Sequence, residues 1–502
     1  MEHFETPSPD ASHNPDILTC LANLSSDEVF TPPRVARELL DLLPTAIWTD
    51  PTLKFLDPGC KTGIFLREIT SRLMHGLTDI FPERESRLDH ILSKQVYGIA
   101  ITELTALITR RTLYCSKLAN STNSIFSGSV TPDGNIFYKP LKHTWRSGFC
   151  LFCGAGQSVY DRSDSSESYA YNFLHESDFF DGTHFDVIVG GPPFQLYDGG
   201  GTGSSARPVY QKFIEKSLSL SPKHILMVTP ARWYSGGKGL DDFRQAMLSD
   251  RRIEKLIDHP DTRSVFPTDI AGGICYFLWS KSHSGPCEVS VVRDGNKVTS
   301  HRFLDEFETF VRDTQAVEII KKVRHKSKAS LEDLVSSRKP FGLDSMYRGS
   351  AKGDLELRTS KGWAKTSRAE VLVGQDFISV WKVLLSKASN DHGGQADKSG
   401  YRRIFSRIEI LAPGQVCTES YLIVGAFSSQ KEAENMVVFL KSRFCRFLVS
   451  TVLLTHNISK GSFKYVPSMS MKDVWTDERL NVFFGLSKDE VVFINGLIKS
   501  ID

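Results

Sequence analysis

Residues from Val29 to Ser282 predict an α/β fold built on a mostly parallel, doubly wound sheet. Short apolar runs recur there, at Leu53–Leu56, Val96–Ile101, Phe185–Val189, His224–Thr229 and Ile274–Trp279. They are bounded by Gly or Pro and are too short for buried helices, so they read as strands covered on both faces. Helical patterns alternate with them, and that alternation calls for parallel strands joined by helical crossovers.

The remaining organisation follows from shifts in pattern. Residues 1–27 form an amino-terminal segment, and residues 28–282 hold the sheet. About 116–168 is an insertion in which Ser, Asn, Gly and Cys are frequent. Residues 283–330 read as a linker region carrying a strand-like stretch, Cys287–Val292, and a helix that ends in basic residues. Residues 331–502 have a mixed α+β pattern and read as a separate carboxyl-terminal domain.

Composition narrows the class only slightly. The 502 residues are 40% hydrophobic, 24% charged and 11% aromatic, which excludes a disordered chain and supports two or three cores. A net charge of +2 selects no partner. No apolar stretch reaches the ~20 residues that span a bilayer, so no membrane role is expected. Met1 to Asn14 lack the basic-then-apolar layout of a secretory signal. Nine scattered cysteines suit a reducing compartment, so a cytoplasmic location is expected.

In chain order, Thr31-Pro32-Pro33 starts a helix predicted over Val35–Leu43. The first strand ends in Asp57-Pro58 and turns through Gly59, Cys60, Lys61, Thr62 and Gly63 into a helix that carries Phe65. Glycine there lets backbone approach a ligand at the carboxyl end of the strand. After the second strand, Glu103 stands where a carboxylate could accept hydrogen bonds from ribose hydroxyls. It equally suits the first turn of a helix. Asp178-Phe179 precedes the next strand, which runs into Gly190-Gly191-Pro192-Pro193-Phe194. Two prolines fix the backbone beyond a strand end, and an aromatic beyond them can stack on a base.

Taken in order, these segments resemble S-adenosylmethionine-dependent DNA methyltransferases of the adenine-N6 kind from restriction-modification systems. The resemblance covers about Glu28 to Trp279, and implies a Rossmann-like methyltransferase sheet. It gives Thr31 and Pro32, Asp57, Gly59, Gly63 and Phe65, Glu103, and Asp178 and Phe179 to the cofactor. It gives Gly191, Pro192, Pro193 and Phe194 to catalysis on a flipped-out adenine. Lys61 departs from the family pattern, which has Gly there. Further similar elements are the loop Gly199 to Ser205, the strand-to-turn Thr229-Pro230-Ala231-Arg232-Trp233, Gly236 to Leu240, and Asp269 to Phe277. Because the cofactor motifs precede the catalytic one, the arrangement is the gamma type. Residues 331–502 are then expected to read a double-stranded DNA target, with a cognate restriction endonuclease or specificity subunit as a further partner.

Gly191 is the departure that matters most. In the family an Asn, Asp or Ser side chain there, with the first proline's carbonyl, accepts both hydrogens of the adenine amino group. Losing one preorganised contact at a reacting group costs about 3–4 kcal/mol. The chain is then an inactivated enzyme, a slow one, or one whose acceptor comes from a neighbour or a water. A catalytically silent DNA-binding or assembly subunit is the corresponding alternative function, and a methyltransferase on RNA or protein glutamine a third.

Two features lie outside that resemblance. Cys150-Leu151-Phe152-Cys153-Gly154 is half of a zinc knuckle, which Cys115 and His143 could complete; two plain thiols are the alternative. Basic runs at Lys321, Lys322, Arg324, His325, Lys326 and Lys328, and at Arg402, Arg403 and Arg407, together with Phe463, Lys464 and Tyr465, are candidate DNA contacts or solvated faces.

Overall fold

β1 (Phe55–Cys60) is buried along its whole length and lies inside the sheet, hydrogen-bonded in parallel to β2 (Val96–Ala100) on one side and β6 (Val187–Gly190) on the other. The computed structural model describes residues 30–161, 170–176, 178–196, 207–236, 239–263, 265–266, 270–293, 295–350, 352–388, 400–454 and 457–501. β3 (Ile136–Phe137) extends the sheet beyond β2, and β7 (His224–Pro230) pairs in parallel with β6. β9 (Ile274–Ser280) then runs antiparallel between β7 and β8 (Ile253–His259).

Side chains along these strands alternate between two cores. Leu56, Ile188, Ile225 and Met227 join one hydrophobic cluster, and Phe55, Val187, Val189, Leu226 and Val228 join the other. Period-two alternation between two apolar layers is why the runs are apolar throughout. Helices cover both faces. Those used below are α1 (Pro33–Leu40), α2 (Ile64–Gly76), α3 (Glu103–Tyr114) and α4 (Tyr210–Ser219). α1 starts at its prolines and buries Val35, Ala36, Leu39 and Leu40, ending three residues sooner than the sequence pattern suggested.

The five apolar runs are all strands, but β8 escaped sequence analysis because Glu254, Lys255 and Asp258 interrupt its apolar residues. The expected linker is corrected. β10 (Cys287–Arg293) pairs in parallel with β8, and β11 (Asn296–Arg302) pairs antiparallel with β10, so the sheet continues to nine strands. Beyond them α5 (Thr314–Lys326) buries Ala316, Val317, Ile319, Ile320 and Val323 in the carboxyl-terminal core. Most apolar residues described between 287 and 326 belong to one core or the other, such as Cys287, Val289, Leu304 and Phe310 to the sheet and Phe307, Val311 and Val317 to the carboxyl-terminal half.

The carboxyl-terminal half holds two three-stranded sheets. One has the order Gly362–Thr366, Leu355–Thr359, Gln415–Cys417; the other Ile408–Leu411, Trp381–Ser386, Tyr421–Phe427. Helix Gln430–Lys441 packs against the second, and Arg443–Ser450 packs on that helix. Ion pairs join this half to the sheet. Arg312 meets the fully buried Asp258 of β8 at 2.9 Å, and Asp313 lies 2.5 Å from Arg293 of β10 and 3.3 Å from Arg402. Burial opposes ionisation of Asp313, but Arg293 and Arg402 outweigh it and hold the carboxyl down at about 2. Among the described residues no helix is long and apolar enough to cross a membrane.

Candidate cofactor and catalytic site

The chain winds in opposite directions from β1 and from β6, so the crevice at their carboxyl ends is the topological switch point of the sheet. Ligands of open α/β sheets bind at that point. Asp57 lies within β1, three residues before its end, 3% exposed, and its Oδ1 accepts a hydrogen bond from the Gly59 N–H at 3.1 Å. Burial pushes its carboxyl up to about 7, against the pull of the Gly59 N–H and of Lys61.

The glycines around Asp57 are positional. A Cβ on Gly190 would stand 2.8 Å from Asp57 Oδ1, so the end of β6 approaches the acid only because that residue has no side chain. Gly59 faces the catalytic segment: a Cβ there would lie 3.7 Å from the Pro193 ring and 3.8 Å from Phe213 of α4. Gly63 caps α2 at φ +72, a left-handed conformation that favours glycine.

Gly191 lies beside Thr31. Its missing Cβ would be 3.4 Å from Thr31 Oγ1 and 3.1 Å from Val228 Cγ1. A hydroxyl therefore lies next to the position where the family carries a polar side chain. Phe194 is 9% exposed, with the ammonium of buried Lys61 6.0 Å from its ring centroid. Lys61 thus fits the turn, despite standing where the family has Gly, by lying between an acid and an aromatic face.

Other expected residues are placed differently. Phe65 is 3% exposed and packs in the hydrophobic core behind the turn. Phe179 is 9% exposed, stacked on Phe173 at 5.7 Å and edge-on to Phe137 at 5.9 Å. Asp178 is exposed and spends one oxygen on its own turn, accepting from the Gly182 N–H at 2.8 Å. Glu103 is exposed in the first turn of α3, which Thr102 and Thr105 cap reciprocally. Pro32 is the N-cap of α1. The Gly199–Ser205 loop, Gly237, Lys238 and Asp269 lie outside the described residues.

The expected metal set is corrected in one member. Cys150, Cys153 and His143 come together, but Cys115 is exposed at the end of α3, and the fourth group is His175. The candidate DNA contacts also change. Phe463 and Tyr465 are buried, with the Tyr465 hydroxyl 2.5 Å from Thr309 Oγ1. Lys321 pairs with Glu306 and Glu318, Lys322 with Glu490, Arg324 with Glu308, and Arg407 with Glu409. Lys326 donates to the Phe483 carbonyl, and Arg402 is buried against Asp313. These side chains serve the fold, since each is engaged by a protein partner.

Strand order, switch point and glycine-lined acid define a Rossmann-like methyltransferase fold. Comparison with known proteins makes this specific. The model of the Eco57I restriction-modification methylase family matches residues 94–266. A protein of Mycoplasma pneumoniae described as an uncharacterized adenine-specific methylase is 36% identical over 299 residues, covering 54% of this chain and 71% of the relative. The chain belongs to the Eco57I restriction-modification methylase family.

Solved structures give lower similarity. A modification subunit of a putative type I restriction enzyme from Vibrio vulnificus is 15% identical at a TM-score of 0.35, covering 56% of this chain and 51% of its own. The Type IIL enzyme MmeI in complex with DNA is 11% identical at 0.44, covering 96% and 77%. A nuclease-deletion mutant of the Type ISP enzyme LlaGI with a DNA substrate mimic is 12% identical at 0.45, covering 85% and 53%. The chain thus spans about half the length of the first of these.

Proposed function

We propose that the chain is a DNA methyltransferase that binds S-adenosylmethionine at the β1–β6 crevice and acts on the exocyclic amino group of adenine. The observation that carries this reading is the convergence of Asp57, Gly59, Gly190 and the Gly191–Phe194 segment at the switch point. The residues present fit the cofactor: a buried carboxylate favours a cationic ligand, and Gly59, Gly63 and Gly190 leave bare backbone beside it. When bound, the cofactor would supply an electrophilic methyl group. Asp57, Gly59 and Gly63 would hold it, with Thr31 and Pro32 along the edge; Glu103 and Asp178 would be the outer polar contacts.

Pro192 and Pro193 fix the chain beyond β6, so the Pro192 carbonyl would accept one amino hydrogen of the target base. Phe194 would support the base plane. Gly191 offers no second acceptor, and the neighbouring Thr31 hydroxyl is the protein group placed to serve instead. Duplex DNA is the proposed substrate, read by residues 331–502, with a cognate restriction endonuclease or specificity subunit as partner. A silent DNA-binding or assembly subunit is the second reading, and Gly191 is the observation that favours it.

The test is methyl transfer to duplex DNA by the chain as it stands, by Gly191→Asn and by Thr31→Val. Gly191 does not have a positive φ, so Asn is conformationally permitted, and Val228 must yield only a few tenths of an ångström. Asn is expected to raise the rate about 100- to 1,000-fold, the worth of one preorganised contact. Thr31→Val is expected to abolish whatever activity the Gly191 form has. Full activity in the Gly191 form, unchanged in both variants, would refute the acceptor argument. Binding of cofactor and DNA without transfer, even by Gly191→Asn, would favour the silent subunit.

A further inference from the structure

The knuckle of the insertion has few apolar side chains of its own to close on. Its hairpin, β4 (Trp145–Arg146) and β5 (Phe149–Cys150), has two residues per strand, and isolated hairpins are marginal in water even when longer. Ser147 and Gly148 turn it, both at positive φ. Phe149, Leu151 and Phe152 are 41%, 52% and 44% exposed, so the knuckle does not close on a hydrophobic core of its own. The side chains that do turn inward are Cys150 and Cys153, 4% and 1% exposed.

These two thiols meet two imidazoles. One ligand atom from each of His143, Cys150, Cys153 and His175 lies within 4.8 Å of all the others. Cys150 Sγ is 3.6 Å from His175 Nε2, and Cys153 Sγ is 3.5 Å from His143 Nδ1. Zinc bonds of about 2.3 Å to sulfur and 2.0–2.1 Å to nitrogen put the sulfur–nitrogen edge of a tetrahedron at about 3.6 Å. The left-handed Gly154 turns the chain back, and its amide donates to the Cys150 carbonyl at 3.0 Å, which folds the knuckle around the two sulfurs.

The rings are also held from outside. His143 stacks on Trp145 at 4.7 Å, and Phe152 lies against His175 at 4.9 Å. Among the described residues His143 Nε2 has no hydrogen-bond partner, and Nδ1 is the nitrogen turned to Cys153. From this constellation we infer that His143, Cys150, Cys153 and His175 bind one structural zinc ion. With all four positions taken by protein groups, the site has no open position for catalysis.

The ion would pin the insertion to the cofactor end of the sheet. His175 leads directly into Asp178 and Phe179. On the other side Lys212 of α4 donates to the Phe152 carbonyl at 2.6 Å, and Lys216 donates to the Glu176 carbonyl. One crosslink therefore ties the knuckle, the segment before β6 and the helix behind Pro192–Phe194.

Metal analysis of the purified full chain tests this, with free thiols and disulfides counted by mass spectrometry. One zinc per chain is expected. Cobalt(II) exchanged for it should give the visible bands of a tetrahedral site and a thiolate charge-transfer band. His175→Cys should retain one equivalent and raise that band by about half, as two thiolates become three. Cys115→Ser should retain the ion, and the Cys150→Ser, Cys153→Ser pair should lose it. Absence of zinc after expression in zinc-supplemented medium overturns the assignment, as does a Cys150–Cys153 disulfide. Retention by the double serine variant, or loss in Cys115→Ser, also overturns it. If the double variant does not fold, the His175→Cys spectrum decides alone: an unchanged thiolate band refutes the site.

Discussion

The crevice at the ends of β1 and β6 and the carboxyl-terminal half use polar residues in opposite ways. In the crevice, Asp57 is buried beside glycines, with its carboxyl raised to about 7. Beyond β9, charges are closed by protein partners: Asp258 by Arg312, Asp313 by Arg293 and Arg402, Lys322 by Glu490. Buried aspartates look alike in a sequence. They differ in what surrounds them: Asp57 has glycines and a single lysine, Lys61, beside it, whereas Asp313 lies between two arginines.

That difference can be broken experimentally. The largest expected effect is that of Asp313→Ala, which leaves buried Arg402 and partly exposed Arg293 without their acid. Loss of one partner of a buried pair costs about 3–5 kcal/mol, read as a lower denaturation midpoint. The contribution also depends on pH. The folded carboxyl stays ionised down to about 2 whereas the unfolded one protonates near ~3.9, so it is fully present above about 4 and disappears as pH falls through 2.

Gly190→Ala is next. A methyl group 2.8 Å from Asp57 Oδ1 must displace the acid or β6, so cofactor affinity in calorimetry should drop about tenfold or more. Denaturant stability should fall less than in Asp313→Ala; a larger fall would make Gly190 chiefly structural.

A smaller effect concerns pH and the crevice alone. The Asp57 carboxyl is neutral below about 7, so affinity for a cationic ligand should weaken as pH falls from 7.5 to 5.5, by up to about tenfold per unit. Asp57→Asn should flatten the profile; an equally steep profile in that variant would move the titration elsewhere. The smallest effect is that of Lys322→Ala. Its pair with Glu490 is partly exposed, so stability should change by about 1 kcal/mol at most. The slope of DNA affinity against salt should stay put, whereas losing a phosphate contact would lower it by about one.

Legibility in the sequence followed contiguity. Asp57 to Gly63 and Gly190 to Phe194 each carry their geometry in one unbroken segment, so the crevice was readable residue by residue. β8 was not, because its charged Asp258 is matched by Arg312, far along the chain. The basic run around Lys321 was ambiguous for the same reason, its acids standing at Glu306 and Glu490. Cys150 and Cys153 announced half of a cluster and His143 a third member. His175 was unmarked, since nothing local distinguishes it from any histidine ending a short helix. The backbone proximity of Thr31 to Gly191 came only from the fold.

The continuation of the sheet through β10 and β11 bears on how such chains are recombined. A chimera joined near residue 283, where the pattern of the sequence changes, would strip β10 from β8 and leave a hydrogen-bonding edge bare in both parents. A junction just after Arg302 keeps the nine strands together and moves Phe307 with the carboxyl-terminal core, at the cost of parting Leu304 and Phe310 from the sheet core they fill. The structural seam between the halves thus lies beyond the end of a strand, about twenty residues past the compositional border.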